Sequence, residues 1–317
     1  MVRQDFLCVV NPAAGRGRTA RLWPEIARLM RRAGLRYRVA FTEAPGHGTE
    51  LAREAVRRAT KMVVAVGGDG TVNEVVNGLA ASGATLALIP TGSGNDLCRA
   101  LGIGEDPLTA ALTLCSGRHR LLDLGMVGNR YFLNICGIGF DAEVAHAVNN
   151  GLRWLGGAPA YLAGIVRALL RFKPVPLHLT LDGVELQAKG LLVAVANGPY
   201  YGAGIKIAPK ASLDDGFFEV CLIGELGKIE LLRTLPLAFR GEHENHPCVQ
   251  FFRAREVTVS CPTRSLYIQG DGELLGETPA SFRLFERALK VLVPGESRPL
   301  ENPRRSRRRN RAGRPGQ

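Results

Sequence analysis

The spacing of apolar positions along the chain changes after Asp123. Before that point, short apolar runs alternate with stretches in which apolar residues return every three or four positions, the patterns of buried strands and of amphipathic helices. Phe6 to Val10, Arg36 to Phe41, Met62 to Val66, Leu86 to Ile89 and His119 to Asp123 predict strands. Thr19 to Arg32, Gly48 to Ala59, Val72 to Ala81, Asp96 to Leu101 and Leu108 to Leu114 predict helices. Such alternation builds a doubly wound α/β domain on a parallel sheet, which takes its ligands at the carboxyl ends of the strands.

After Asp123 the runs become short and closely spaced. Arg130 to Cys136, Leu177 to Leu181, Val184 to Ala188, Leu191 to Ala196, Phe217 to Leu222, Val249 to Arg253, Val257 to Ser260, Ser265 to Gln269 and Ser281 to Leu284 predict strands, and Asp182-Gly183 predicts a hairpin turn. Helical patterns at Ala142 to Asn149, Ala160 to Phe172 and Lys228 to Phe239 interrupt them. The expected division is an α/β domain over 1–124, a mainly β domain packed as a sandwich over 125–295, and a tail over 296–317, with the site in the cleft between the domains. No internal repeat is seen.

Composition alters this picture in three places. With 317 residues, 46% of them hydrophobic and 22% charged, the chain is long enough for two cores. No apolar run approaches the roughly 20 residues that span a bilayer, and Phe6 to Val10 leads straight into Asn11-Pro12 rather than into a signal-peptide core, so a cytoplasmic location is expected. The seven cysteines form no CxxC pair, which supports neither a zinc site nor a disulfide framework. The net charge of +12 owes seven of its units to arginines that follow Glu301 with no acid among them, leaving +5 for the rest. That tail is too poor in apolar residues to build a core. Its charge suits anionic lipid headgroups or nucleic acid, or serves only solubility.

The strongest chemical signal is Val63 to Glu74, where an apolar run meets Gly67-Gly68-Asp69-Gly70-Thr71 and then a helix start. Glycines let the backbone approach phosphate oxygens, the first N–H groups of the helix face an anion, and Asp69 can hold Mg²⁺ directly or through water. An ordinary strand-to-helix turn has the same glycines. Two more glycine-rich loops, Asn11 to Gly17 and Gly92 to Asn95, also follow strands, so all three should meet on one rim. Gly15 to Ala20 fits GxGxxA, yet Asn11 to Ala14 separates it from its strand and Glu43 is only loosely placed as the acid, a poor context for a dinucleotide turn. GxxxxGK[ST] is absent, so Asn11, loop amides and Arg16 or Arg18 would have to hold a nucleotide. In the second half, Asp271-Gly272-Glu273 is either a hairpin turn or a source of a carboxylate facing the nucleotide.

NPAAGRG at 11–17, GGDGTVNE at 67–74, PTGSGND at 90–96, GIGFDA at 137–142, NGPYYGAGIKIAPKASLDDG at 197–216 and DGE at 271–273 resemble, in order, the diacylglycerol kinase catalytic family, and most nearly its bacterial soluble lipid kinases. GGDGT alone would also fit NAD kinases and phosphofructokinases. The resemblance covers about residues 5 to 295 and implies transfer of the γ-phosphoryl group of ATP to a hydroxyl of a membrane lipid such as diacylglycerol, with Mg²⁺. It assigns Asn11, Thr42, Gly68, Asp69, Gly70, Thr71, Val72, Asn73, Glu74 and Ser93 to the nucleotide, with Gly67 and Asn95 in the same loops. The family's common GT[AV]ND is here Gly92-Ser93-Gly94-Asn95-Asp96, which keeps a hydroxyl.

Asp69, Asp96 and Asp123 are then expected as one acidic group around Mg²⁺, although Asp96 also suits a helix cap and Asp123 a strand-end turn. Glu273 is the family-matched general base, with Asp69 a competitor. Ser212, Asp215 and Phe217 match a second, structural metal position, a stretch that otherwise reads as a turn. Trp154, Leu155, Tyr161, Leu162, Ile165, Val166, Leu169 and Leu170, with Arg153 and Arg167, suit either a helix dipping into lipid or an ordinary core stripe, and Tyr200 and Tyr201 are candidates for the same cleft. The implied location is cytoplasmic with peripheral contact to anionic membrane, a homodimer being compatible and nucleic acid a disfavoured partner. The rivals are a kinase of a soluble acceptor, of the NAD kinase kind, and a nucleic-acid-binding module driven by the tail.

Overall fold

The computed structural model describes residues 6–148, 151, 163–168, 173–271 and 273–295. Gly272, the arginine tail from 296, and Arg153, Trp154, Leu155, Tyr161, Leu162, Leu169 and Leu170 of the apolar stripe lie outside the described residues. Of that stripe, Ile165 is buried and Val166 exposed.

The first half alternates as its pattern predicts. It runs β1 (Phe6–Val10), α1 (Ala14–Arg32), β2 (Tyr37–Phe41), α2 (His47–Arg57), β3 (Met62–Gly67), α3 (Asp69–Leu79), β4 (Thr85–Pro90), α4 (Asp96–Ala100) and α5 (Pro107–Ser116). The strands pair in parallel in the order β2-β1-β3-β4. Every residue of β1 and β4 is buried, the mark of a sheet covered on both faces by helices.

The second half is a sandwich. It comprises β5 (Arg118–Val127), β6 (Arg130–Phe132), β7 (Ile135–Gly139), α6 (Phe140–Ala147), β8 (Val175–Leu181), β9 (Val184–Gly190), β10 (Leu192–Ala196), β11 (Phe218–Ile223), α7 (Lys228–Arg240), β12 (Val249–Ala254), β13 (Glu256–Ser260), β14 (Tyr267–Gly270), β15 (Glu273–Glu277) and β16 (Ala280–Val293). One sheet has the order β12-β11-β10-β7-β14-β15. The facing strands β16-β13-β8-β9, with β5 and β6, continue the parallel sheet of the first half, because Lys290 and Val291 of β16 pair with Thr85 and Leu86 of β4. β5 and β16 thus run through both halves, and their ladder shifts register between Phe285 and Leu289, around Arg287 at φ 51°. The sheets share one apolar core that includes Phe132, Val195, Phe218 and Phe282. The Asp182-Gly183 hairpin forms as expected, with φ 47° and 85°.

The expected strand Arg130 to Cys136 is broken into β6 and β7. The backbone N–H groups of Leu133, Asn134 and Ile135 all donate to the Asp271 carboxylate, at 2.9, 3.0 and 3.3 Å, so the chain turns there from one sheet to the other. β15 and the second half of β16 were not among the expected strands; in β16 the irregularity at Arg287 breaks the alternation of apolar residues.

Candidate active site

The three glycine loops meet on the rim at the carboxyl ends of β1, β3 and β4. Contact is close: a Cβ added at Gly15, whose φ is 57°, would lie 2.4 Å from the Thr91 carbonyl oxygen, and one at Gly92 would lie 2.4 Å from the Gly68 Cα. Gly15, Arg16 and Gly17 are three successive left-handed residues, and the Gly17 N–H closes the turn on the Ala13 carbonyl at 3.2 Å. Asn11 Nδ2 donates to Thr71 Oγ1 at 2.9 Å, tying the first loop to the start of α3. Thr42 is buried beside β1, its N–H donating to the Val10 carbonyl at 2.9 Å. Ser93 is exposed on the third loop, and Asn95, at φ 55°, closes it through Nδ2 to the Gly92 carbonyl at 3.1 Å.

Asp69 and Asp96 come together as expected. Asp69 Oδ1 accepts from the Asp96 N–H at 2.8 Å. Burial raises the Asp69 carboxyl to about 6, and the like charges of Asp96 and Asp271 add to the rise. Asp96 is also raised by burial, although its Oδ2 accepts from the Ala203 N–H at 2.9 Å and its Oδ1 from Arg99 Nη1 at 2.6 Å. Burial and like charge thus make both carboxyls at this rim reluctant to ionise. Among the described residues no three His, Cys, Asp or Glu are grouped to hold a metal ion.

Asp123 does not join them. Its Oδ2 accepts from the Gly216 N–H at 2.8 Å and its Oδ1 from the Arg287 N–H at 2.7 Å, so it clamps the 213–217 loop to β16. The charges that raise it come from Asp214 and Asp215, after burial. At the expected second metal position, where loop carbonyls and the Asp215 carboxylate would be the ligands, the side chains engage one another. Ser212 donates to Asp214 at 3.0 Å, Asp214 pairs with Arg120 at 2.7 Å, and Asp215 pairs with Arg253 and accepts from the Phe217 N–H. Arg253 and Arg255 cover the Phe217 ring at 4.5 and 4.8 Å. Guanidinium groups already supply the positive charge there.

Three positions of the GGDGTVNE stretch face elsewhere than the rim. Val72 is buried in the α/β core. Glu74 accepts from the Gly46 and Gly48 N–H groups, both at 2.8 Å, and so caps the start of α2. Asn73 reaches into the second half, donating to Asp271 Oδ2 at 3.0 Å.

Glu273 makes the corresponding approach from the other side. Its Oε1 lies 3.7 Å from where a Cβ on Gly70 would stand, and its Oε2 accepts from Arg130 Nη2 at 3.0 Å. Burial raises its carboxyl, as do the charges of Glu74 and Asp271, against the lowering by Arg130. Arg130 and the positioning role of Asp271 had no sequence signal, since an arginine after a turn and an aspartate in a DG pair are common anywhere.

An apolar cavity lies between the six-stranded sheet and helices α6 and α7, lined by Phe140, Val144, Ile165, Leu192, Tyr201 and Leu235 among others, with Asp141, Thr234 and His243 as polar members. Tyr200 instead sits under the Arg99 guanidinium, 5.9 Å from its ring centre. Asp141 accepts from the Ala142 N–H at 2.8 Å and from Gln269 Nε2 at 3.2 Å, and burial raises it to about 7. The fold therefore favours its protonated form, a contribution present below the unfolded pKa near 3.8 and lost as pH rises through about 7. Asp141→Asn, always neutral, should gain stability relative to wild type between pH 5 and pH 8, on the order of 1 kcal/mol or more at the upper end. Melting curves across that range test this; a difference that stays constant with pH would contradict it.

The model of the diacylglycerol kinase catalytic domain matches residues 5–127, and that of the YegS C-terminal NAD kinase beta sandwich-like domain matches residues 134–293. A diacylglycerol kinase of Bacillus subtilis (strain 168) is 34% identical over 291 residues, which cover 91% of this chain and 96% of that one. The chain belongs to the diacylglycerol kinase family. It is accordingly a kinase. A diacylglycerol kinase of Staphylococcus aureus (strain MRSA252) is 33% identical over 297 residues, 93% of this chain and 94% of that one. The crystal structure of a Bacillus anthracis diacylglycerol kinase superposes with a TM-score of 0.74 at 24% identity, over 92% of this chain and 97% of that one, which speaks for the fold alone.

Proposed function

We propose that this kinase transfers the γ-phosphoryl group of ATP to a hydroxyl of a membrane lipid, of which diacylglycerol is the first candidate. The observation that carries the reading is the placement of Glu273 against Gly70. A carboxylate of raised pKa, brought by the sandwich, stands over the glycine turn that opens α3, where an acceptor hydroxyl would meet a bound phosphate. The apolar cavity in the same half and the name shared by the relatives support a lipid acceptor.

In this reading the loop N–H groups of Gly15 and Arg16 and of Gly68 to Thr71, with Asn11 and Ser93, bind and orient the triphosphate. Asp69, supported by Asp96, would hold Mg²⁺, which when bound neutralises phosphate charge. Glu273 takes the proton from the acceptor hydroxyl, and Arg130 fixes its direction. Among the described residues no helix is long and apolar enough to cross a membrane, and we take the contact with lipid to be peripheral.

A panel of acceptors in mixed micelles with ATP labelled at the γ-phosphate tests the reading by product identity. A phosphorylated diacylglycerol, or another phosphorylated membrane alcohol, is expected, and chelation of Mg²⁺ should remove it. Phosphorylation of NAD with no lipid product would replace the lipid acceptor by a soluble one.

A further inference from the structure

Helix α7 has two apolar faces. Leu231, Thr234, Leu235 and Ala238 turn inward and line the apolar cavity. Ile229, Leu232, Pro236 and Phe239, spaced three, four and three residues apart, form a stripe on the opposite side. Ile229 is 70% exposed, Phe239 48% and Leu232 45%. Exposed Leu237 adds to them, so four of the eleven large exposed hydrophobics among the described residues fall on this one 13-residue helix. Surface helices bury one stripe and solvate the other; a helix apolar on both needs a second apolar neighbour.

Charge identifies that neighbour. Arg233 and Arg240 are exposed on the same arc as the stripe. The helix's one acid, Glu230, is turned to its start, where it meets His246 at 3.1 Å and the Gly227 N–H at 3.3 Å. An apolar stripe edged by arginines suits the boundary between acyl chains and anionic headgroups. A second copy of the chain suits it less well, since a symmetric pairing through the stripe would bring the arginines of both copies into one interface. We propose that α7 is the helix that enters the membrane surface, with Ile229, Leu232 and Phe239 among the acyl chains and Arg233 and Arg240 at the headgroups. The inference rests on the lipid reading above, because it places the acceptor cavity directly behind the inserted helix.

The test uses the full chain and its I229E/L232E variant, neither residue lining the cavity. In flotation with vesicles of phosphatidylglycerol and phosphatidylcholine, the variant should bind at least about tenfold more weakly. Its turnover of a short-chain diacylglycerol dissolved without vesicles should equal wild type, as should its melting temperature. I229W, a mild change at an exposed site, gives a second readout that survives if the double variant fails to fold. Its emission should shift to the blue with vesicles, beyond any shift of wild type, and be quenched by brominated acyl chains. Wild-type vesicle binding by a folded I229E/L232E, or an I229W emission unmoved by vesicles that bind the protein, would overturn the proposal. So would a wild-type dimer that the double variant dissolves, which would assign the stripe to a second copy. Loss of vesicle binding in a protein that phosphorylates no lipid would leave α7 as a membrane helix and reject the lipid-kinase reading alone.

Discussion

Asp69→Asn is expected to lower turnover by about 10²–10³-fold with the fold intact, the scale on which removal of one preorganised electrostatic partner acts in enzymes. Asparagine keeps the size of the side chain and an oxygen to accept the Asp96 N–H, so the link between the α3 and α4 starts survives. The negative charge is what disappears. In the free protein that charge is a burden: burial and the neighbouring Asp96 and Asp271 carboxylates raise the group to about 6, so its ionised form opposes folding above that pH. The variant should therefore melt no lower than wild type at pH 8 while losing most of its rate. Steady-state turnover with ATP, Mg²⁺ and a lipid acceptor, beside a melting curve, separates the two effects. A folded variant with near wild-type turnover would remove Asp69 from the chemistry.

Glu273→Gln should reduce turnover by about 10²–10⁴-fold, the usual worth of a general base, while ATP still binds. Retention of ATP is expected on the proposed reading, in which the glycine loops after β1, β3 and β4 hold the nucleotide and Glu273, at the start of β15, meets the acceptor. The base must be ionised to act, and burial raises its pKa, so the wild-type rate should fall on the acid side at a pH above that of an ordinary glutamate. Arg130 opposes that rise through its contact at 3.0 Å. Arg130→Gln should then move the acid limb to higher pH, a change that lost packing alone would not produce. If Glu273→Gln lost ATP affinity and turnover together, the residue would be positioning the nucleotide rather than accepting a proton.

The α/β half was legible because its signals are local. A strand buried on both faces must be continuously apolar, a glycine turn must follow it where the backbone approaches an anion, and both can be read within a dozen residues of Val63 to Glu74. The sandwich was legible as a class, with Asp182-Gly183 marking one hairpin, but not in its edges. The Arg130 to Cys136 run has the composition of one strand, and only the Asp271 carboxylate, more than a hundred residues away, breaks it. β16 hid its length for a similar reason, its alternation interrupted where Arg287 clamps to Asp123.

In the candidate site, motif order located the loops, while side-chain direction was decided by partners distant in sequence. Asn73 and Glu74 share a motif with Asp69, yet one turns to Asp271 and the other to Gly46 and Gly48, because a helix presents successive residues to different neighbours. Asp123 resembled a third metal carboxylate until the 213–217 loop and β16 supplied the N–H groups that a buried carboxylate must find. By itself the sequence determined the alternation of strands and helices, the rim where the glycine loops gather, and the carboxylates available there. The tertiary structure alone decided which carboxylates meet, that Glu273 crosses to Gly70 under the hold of Arg130, and that α7 shows apolar residues to both the cavity and the outside. Those are matters of long-range packing, where burial forces each polar group to take whatever partner the fold brings near, and no local pattern records that partner.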